Sequence, residues 1–112
     1  MTLQECYVKI GGEYNDILHR FMNENMIHKF VLDDDSYANL KAAMESGNAP
    51  EAFRGAHTLK GVAVNLGFTA LYNVSSALTE KLRSQEYDNL DGLIADVKKQ
   101  YDIVIEAIAA LD

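Results

Sequence analysis

One segment of the chain, residues 50–67 (PEAFRGAHTLKGVAVNLG), contains side chains whose types and spacing suit phosphoryl chemistry. His57 offers an imidazole, and a neutral imidazole, with an ordinary pKa of about 6.5, is a nucleophile at neutral pH. Arg54 and Lys60 lie three residues before and after it, so on a helix both cations share its face. Cations there could pair with the oxygens of a phosphoryl group on the imidazole.

A helical wheel divides this segment into two faces. His57 points away from a face of small and apolar residues, which is predicted to be buried: Ala52, Gly55, Ala56, Leu59, Val62, Ala63 and Leu66. Phe53, Gly61 and Val64 lie near His57 instead. A glycine inside a helix costs about 1 kcal/mol relative to alanine. We therefore interpret Gly61 as clearance for an approaching protein, and Phe53 and Val64 as apolar groups on which that protein docks.

The same residues follow a known signature: His57-Thr58-Leu59-Lys60-Gly61, then Asn65-Leu66-Gly67. This pattern resembles the signature of histidine-containing phosphotransfer (HPt) domains of two-component phosphorelays, and the likeness covers essentially the whole chain. It implies that His57 accepts and donates a phosphoryl group and that Lys60 faces the phosphate. It also implies that Gly61 provides clearance and that Gly67 ends the active helix, predicted at about residues 50–65.

The resemblance also implies partners. These are response-regulator receiver domains, which would supply the aspartyl phosphate and Mg²⁺, and, as a further candidate, a hybrid histidine kinase. The chain is predicted to be a phosphoryl carrier without a cofactor rather than an enzyme, because it has no Walker sequence and no kinase-type glycine loop. HPt domains often carry Gln or Glu on the next helix to orient the imidazole. The matching position here is Thr79, whose reach is shorter.

The elements that must position these residues are predicted to be helices, because apolar residues recur every three or four positions. We expect an all-α fold, an antiparallel four-helix bundle with a short additional N-terminal helix. The predicted short helix covers residues 3–10 and ends at Gly11-Gly12, and another apolar pattern runs from Tyr14 towards Phe30. The first bundle helix is predicted to start at residues 33–36 and to stop at Gly47, and the second to run from Pro50 to near Asn65. Thr69 is predicted to cap the third helix, and Asp88 or Asn89 the fourth.

Composition predicts one domain, residues 1–112, in a cytoplasmic protein. The chain is 48% hydrophobic, has one cysteine (Cys6), no secretory signal, and no apolar run of the ~20 residues that a membrane span needs. Its formal charge of −7 disfavours nucleic acid as a partner, and we expect a monomer. Residues 52–85 nevertheless hold four basic residues and one acid, which suits an anionic target or an acidic partner pocket.

Other functions stay open at this point. The chain could be a docking module that is never phosphorylated, or a hydrolase that uses His57 as a base. A metal site is a third alternative, because two pairs have helical ligand spacing: Asp16 with His19, and Glu24 with His28. A di-iron bundle needs two Glu-x-x-His elements and two further glutamates, and that set is missing from the sequence.

Overall fold

A computed structural model of the chain describes residues 2–12, 29 and 34–110. Within these residues the fold is entirely helical, with five α-helices: α1 (Leu3–Ile10), α2 (Ser36–Ser46), α3 (Ala49–Leu66), α4 (Thr69–Arg83) and α5 (Leu90–Ala109). The prediction of an all-α bundle with a short N-terminal helix is confirmed. The helix predicted from Tyr14 towards Phe30, with Asp16, His19, Glu24 and His28, lies outside the described residues.

Short links fold the bundle helices back on one another. Gly47-Asn48 joins α2 to α3, and Gly67-Phe68 joins α3 to α4, so that each pair forms an antiparallel hairpin. Gly47 and Gly67 adopt the left-handed conformation, with φ of 72° and 75°, which glycine accepts without steric cost. Helix α3 packs against α2 and α4, α4 packs against α5, and α1 packs mainly against α5. The predicted active helix thus has a neighbour on two sides.

Local signals set the ends of α3. The side chain of Asn48 accepts a hydrogen bond of 3.2 Å from the backbone N–H of Glu51, and Pro50 occupies the first turn. At the other end, the N–H of Phe68 donates to the carbonyl of Ala63 at 2.8 Å. Helix α3 therefore covers Ala49–Leu66, one residue longer at each end than predicted.

The packing between α2 and α3 depends on Gly55. A Cβ atom on this glycine would lie 2.9 Å from the Cα of Leu40, closer than real Cβ contacts. The small buried residues of α3, Ala52, Ala56 and Ala63, likewise let its neighbours approach. The buried face is the one that the wheel identifies, except that Val62 is only half-buried. The face that carries His57 is left free of the core.

Helix α1 is attached to the turn between α3 and α4. The hydroxyl of Tyr7 donates a hydrogen bond of 2.7 Å to the carbonyl of Leu66, and its ring packs on Phe68. The N–H of Ala70 donates to the carbonyl of Gly11 at 3.1 Å. A Cβ on Gly12 would lie only 2.3 Å from the carbonyl oxygen of Gly67, so this approach requires a glycine. The N-terminal segment therefore fixes the end of α3.

One helix start differs from the prediction. Phe68 is the N-cap of α4 and makes no side-chain hydrogen bond, whereas Thr69 is the first helical residue, so the prediction that Thr69 caps this helix is wrong. Burial of Phe68 decides the position, since it is fully buried against Tyr7. At α2 the carboxylate of Asp34 accepts from the N–H of Ser36 at 2.9 Å.

Within the described ranges, no helix is long and apolar enough to cross a bilayer.

Candidate functional site

His57 lies in the middle of α3 with its side chain exposed. Its ring contacts the ring of Phe53, with centroids 5.8 Å apart and an angle of 41° between the planes. Across residues 34–110, neither ring nitrogen of His57 has a hydrogen-bond partner. A nitrogen lone pair on this imidazole is therefore open to a reactant that approaches from solvent.

Lys60 lies one turn further along the same face and is half-exposed. Three of the four cations in residues 52–85 form ion pairs: Arg54 with Glu51 at 3.0 Å, Arg83 with Glu80 at 3.5 Å, and Lys81 with Asp88 at 3.2 Å. Lys60 is the one that has no acidic partner among the described residues. Its ammonium is therefore available to an anion placed beside His57.

Arg54 is less available than Lys60. Its guanidinium pairs with Glu51 one turn earlier on α3, and the two side chains are 74% and 49% exposed. Pairs of this kind are worth about 0–1 kcal/mol, so an incoming phosphoryl group could replace the carboxylate. The predicted role of Arg54 at a phosphate thus requires that the pair with Glu51 open first.

Arg83 is a site residue that the sequence reasoning missed. Its guanidinium carbon lies 5.5 Å from the ring centroid of Phe53, which in turn contacts His57. Phe53 is half-buried as a result, not fully exposed as the wheel suggests. The sequence does contain a signal for this contact. Phe53 lies 14 residues before Gly67 and Arg83 lies 15 residues after Phe68, so the two are at nearly the same distance from the turn of the α3–α4 hairpin.

Gly61 leaves open space next to Lys60. Apart from the backbone of α3 itself, a Cβ built on it meets no atom of the described residues within 4 Å, in contrast to Gly55 on the buried face. Packing within the described part of the chain therefore does not require glycine at this position. Val64, one turn later, is 42% exposed and extends the accessible apolar surface of α3. Both observations fit a face that another protein approaches.

Thr79 makes its hydrogen bond to its own helix and not to His57. It is fully buried on α4, and its hydroxyl donates a hydrogen bond of 2.7 Å to the carbonyl of Ser75. A buried hydroxyl needs an acceptor, and the carbonyl four residues earlier in the same helix is within reach. The prediction that Thr79 orients the imidazole therefore has no support in the contacts of this structure.

The part of the chain that the structure describes contains no group of three or more His, Cys, Asp or Glu side chains that could hold a metal ion. The chemistry that this face itself offers is that of an accessible imidazole one helical turn from an ammonium that has no acidic partner in residues 2–12, 29 and 34–110.

Comparison with known families identifies the chain. The sequence model of the Hpt domain family matches residues 32–111, well over half of the chain. The chain therefore belongs to the Hpt domain family. Members of this family are phosphocarrier modules of phosphorelays, not classical enzymes, and they interact with receiver domains and kinases. Searches of curated proteins and of solved structures found no match to the chain. The matched region contains α2 to α5 and leaves α1 outside.

Proposed function

We propose that this chain accepts a phosphoryl group on His57 from the aspartyl phosphate of a receiver domain and passes it to another receiver domain. One observation carries the proposal. An exposed imidazole without a hydrogen-bond partner in the described chain lies on α3, one turn from the unpaired ammonium of Lys60 and from the open space at Gly61. Membership of the Hpt domain family supports the same reaction.

The transfer is an in-line displacement at phosphorus. The lone pair of one ring nitrogen of His57 attacks the phosphorus atom, and a nitrogen–phosphorus bond forms. The bond between phosphorus and the aspartyl oxygen breaks, and its electron pair leaves with the carboxylate of the receiver. The other ring nitrogen keeps its proton. The reverse sequence returns the phosphoryl group to a second receiver.

Three residues of this chain assist the step. The ammonium of Lys60 pairs with the phosphoryl oxygens, whose charge must be neutralised while the group moves. Gly61 lets the receiver backbone come close enough for the nitrogen to reach phosphorus in line. Phe53 packs against the imidazole and limits its rotation. The receiver contributes its own aspartate and Mg²⁺.

The docking-module and hydrolase alternatives account for less of the site. A docking module does not need an imidazole and a lysine that both lack a partner among the residues the structure describes. A hydrolase that uses His57 as a base needs a nucleophile or an orienting group within hydrogen-bond reach, and none is present on the ring nitrogens among the described residues. Phosphoryl transfer uses the imidazole of His57, the ammonium of Lys60 and the open space at Gly61.

The test is incubation of the chain with a receiver domain that carries radiolabelled aspartyl phosphate. We expect label on this chain that is lost in acid and stable in alkali, as befits a phosphoramidate. His57→Gln should carry no label, whereas Thr58→Ala, a substitution at the exposed neighbour, should be labelled normally. Label that persists in His57→Gln would disprove the assignment. Absence of label on the wild-type chain with every cognate receiver would favour the docking module.

A further inference from the structure

A pocket of about 220 Å³ opens at the end of the bundle where α3 begins. It lies between the end of α2, the first turn of α3 and the link from α4 to α5. Its walls are mainly apolar and include Ala43, Met44, Ala52, Leu82, Tyr87 and Leu90. Small residues at the turn between α2 and α3 line one side of it, namely Ala43, Gly47, Ala49 and Ala52.

The size of the pocket limits what it can hold. An engineered apolar cavity of about 150 Å³ admits benzene, so this pocket has room for one ring or one leucine side chain. Sites for whole small molecules usually have volumes of about 300–1,000 Å³. The pocket therefore fits a single apolar side chain of a larger molecule better than a cofactor or metabolite. Tyr87, which is 52% exposed at this pocket, adds apolar surface for the backbone that would carry that side chain.

The charges beside the pocket favour a basic occupant. Five exposed acids adjoin the lining residues in sequence: Glu45, Glu51, Glu86, Asp88 and Asp91. Arg54 pairs with Glu51, and Lys81 pairs with both Glu86 and Asp88, so the described residues leave Glu45, Asp91 and one charge of the Glu86–Asp88 pair uncompensated. Only two cations do so, and neither faces the pocket freely. Lys81 pairs with Glu86 and Asp88, and Arg83 lies over Phe53. An apolar anchor flanked by lysine or arginine would complement this rim.

We propose that the pocket docks a partner protein through a segment in which one aromatic or leucine side chain is flanked by basic residues. The pocket includes Ala52, on the buried face of α3, and the start of that helix, whereas His57 is on the exposed face. Occupation of the pocket therefore leaves the imidazole accessible. This inference is independent of phosphorylation at His57 and adds a second contact surface to the chain.

Three short peptides test the proposal: phenylalanine between lysine pairs, alanine between lysine pairs, and phenylalanine between glutamate pairs. We expect the first to shift the amide NMR signals of Ala49, Tyr87 and Leu90. The second and third should bind at least about tenfold more weakly. The second lacks the aromatic side chain that would enter the pocket, and the glutamates of the third are repelled by the acids beside the pocket. His57→Gln should bind the first peptide as the wild type does, which separates this test from that of the proposed function.

Substitutions of pocket residues test whether the first peptide binds in the pocket. Ala49→Met puts a flexible side chain into the pocket and should weaken binding of the first peptide about tenfold without lowering the melting temperature. Tyr87→Ala provides a second variant, which should also weaken binding. Val8→Ala, at another exposed apolar residue, is the matched control and should bind normally. Equal binding of all three peptides, shifts confined to the His57 face, or closure of the pocket by self-association in sedimentation experiments would each overturn the proposal.

Discussion

The ring of Phe53 lies beside the imidazole of His57, with the two centroids 5.8 Å apart. The guanidinium of Arg83 also lies over the ring of Phe53, with its central carbon 5.5 Å from the ring centroid. These two contacts connect the end of α4 to the proposed phosphoacceptor on α3. They also explain why an apolar residue on this face is half-buried. The orientation of His57 thus depends on an aromatic neighbour and not on a hydrogen bond within the described residues.

Phe53→Leu should slow phosphoryl transfer to His57 several-fold. The substitution removes the ring contact with the imidazole and the cation–π contact with Arg83, which is worth about 0.5–1 kcal/mol at an exposed site. The imidazole then samples more orientations, and fewer of them are in line with phosphorus. Single-turnover transfer rates would measure this. Glu80→Gln, which frees Arg83 without touching Phe53, is the control and should transfer normally. An unchanged rate in folded Phe53→Leu would contradict the positioning role.

Lys60→Ala should reduce the transfer rate about 10- to 100-fold, since a charge-assisted hydrogen bond is worth about 1.5–3 kcal/mol. Stability should change by no more than about 0.5 kcal/mol, because Lys60 has no acidic partner in the described part of the chain. Lys41→Ala, at an exposed lysine of α2, controls for the loss of one positive charge. If both variants slow transfer equally, Lys60 acts through net charge alone and not at the phosphate.

Gly61→Ala and Gly55→Ala form a matched pair on opposite faces of α3. A methyl group at Gly61 meets no described residue outside the backbone of α3 within 4 Å, so this variant should be more stable by up to about 1 kcal/mol while transfer slows. At Gly55 the methyl group would lie 2.9 Å from the Cα of Leu40, and we expect a loss of about 1–3 kcal/mol through overpacking. Urea unfolding and transfer rates measure both effects. Normal transfer by Gly61→Ala would show that the open space is not needed for docking.

Local signals in the sequence were enough to predict α3 and its exposed histidine. Pro50 and Gly67 define the ends of this helix, and the small residues between them define the buried face. Relations between helices were not predictable in the same way. The burial of Phe68 moved the start of α4 by one residue, and Arg83 reaches Phe53 only through the register of the hairpin. The hydroxyl of Thr79 donates a hydrogen bond to the carbonyl of Ser75 in its own helix, because the position is buried.

Ser75→Ala should stabilise the protein. The hydroxyl of Ser75 is fully buried on α4 and has no hydrogen-bond partner among the described residues. An unsatisfied buried hydroxyl costs about 1–3 kcal/mol, and alanine also has the higher helix propensity. We expect a gain of about 1 kcal/mol in the free energy of unfolding, measured in urea. Ser76→Ala, at the half-buried neighbour, controls for helix propensity alone. A loss of stability in Ser75→Ala would indicate a bound water on the hydroxyl.

Tyr7→Phe should destabilise the protein at neutral pH and change its response to alkali. The hydroxyl of Tyr7 donates to the carbonyl of Leu66 at the end of α3, and removal of this bond should cost about 1–3 kcal/mol because the carbonyl is left without this donor. Burial, and to a lesser degree the nearby Cys6, holds the pKa of the Tyr7 phenol far above its ordinary value of 10.0. The phenol therefore stays protonated in the folded protein when it already ionises in the unfolded chain.

The sign of the pH effect follows from this difference. The stabilisation by the protonated phenol is fully present below about pH 10 and is lost as the pH rises towards the raised pKa. The free energy of unfolding should thus fall steeply above pH 10 in the wild type and less steeply in Tyr7→Phe. Burial also raises the pKa of Tyr37 and Tyr101, and these residues contribute equally to both proteins. The difference between the two curves therefore isolates Tyr7. Parallel curves above pH 10 would mean that its phenol is not buried in solution, and that α1 is not attached to the active helix.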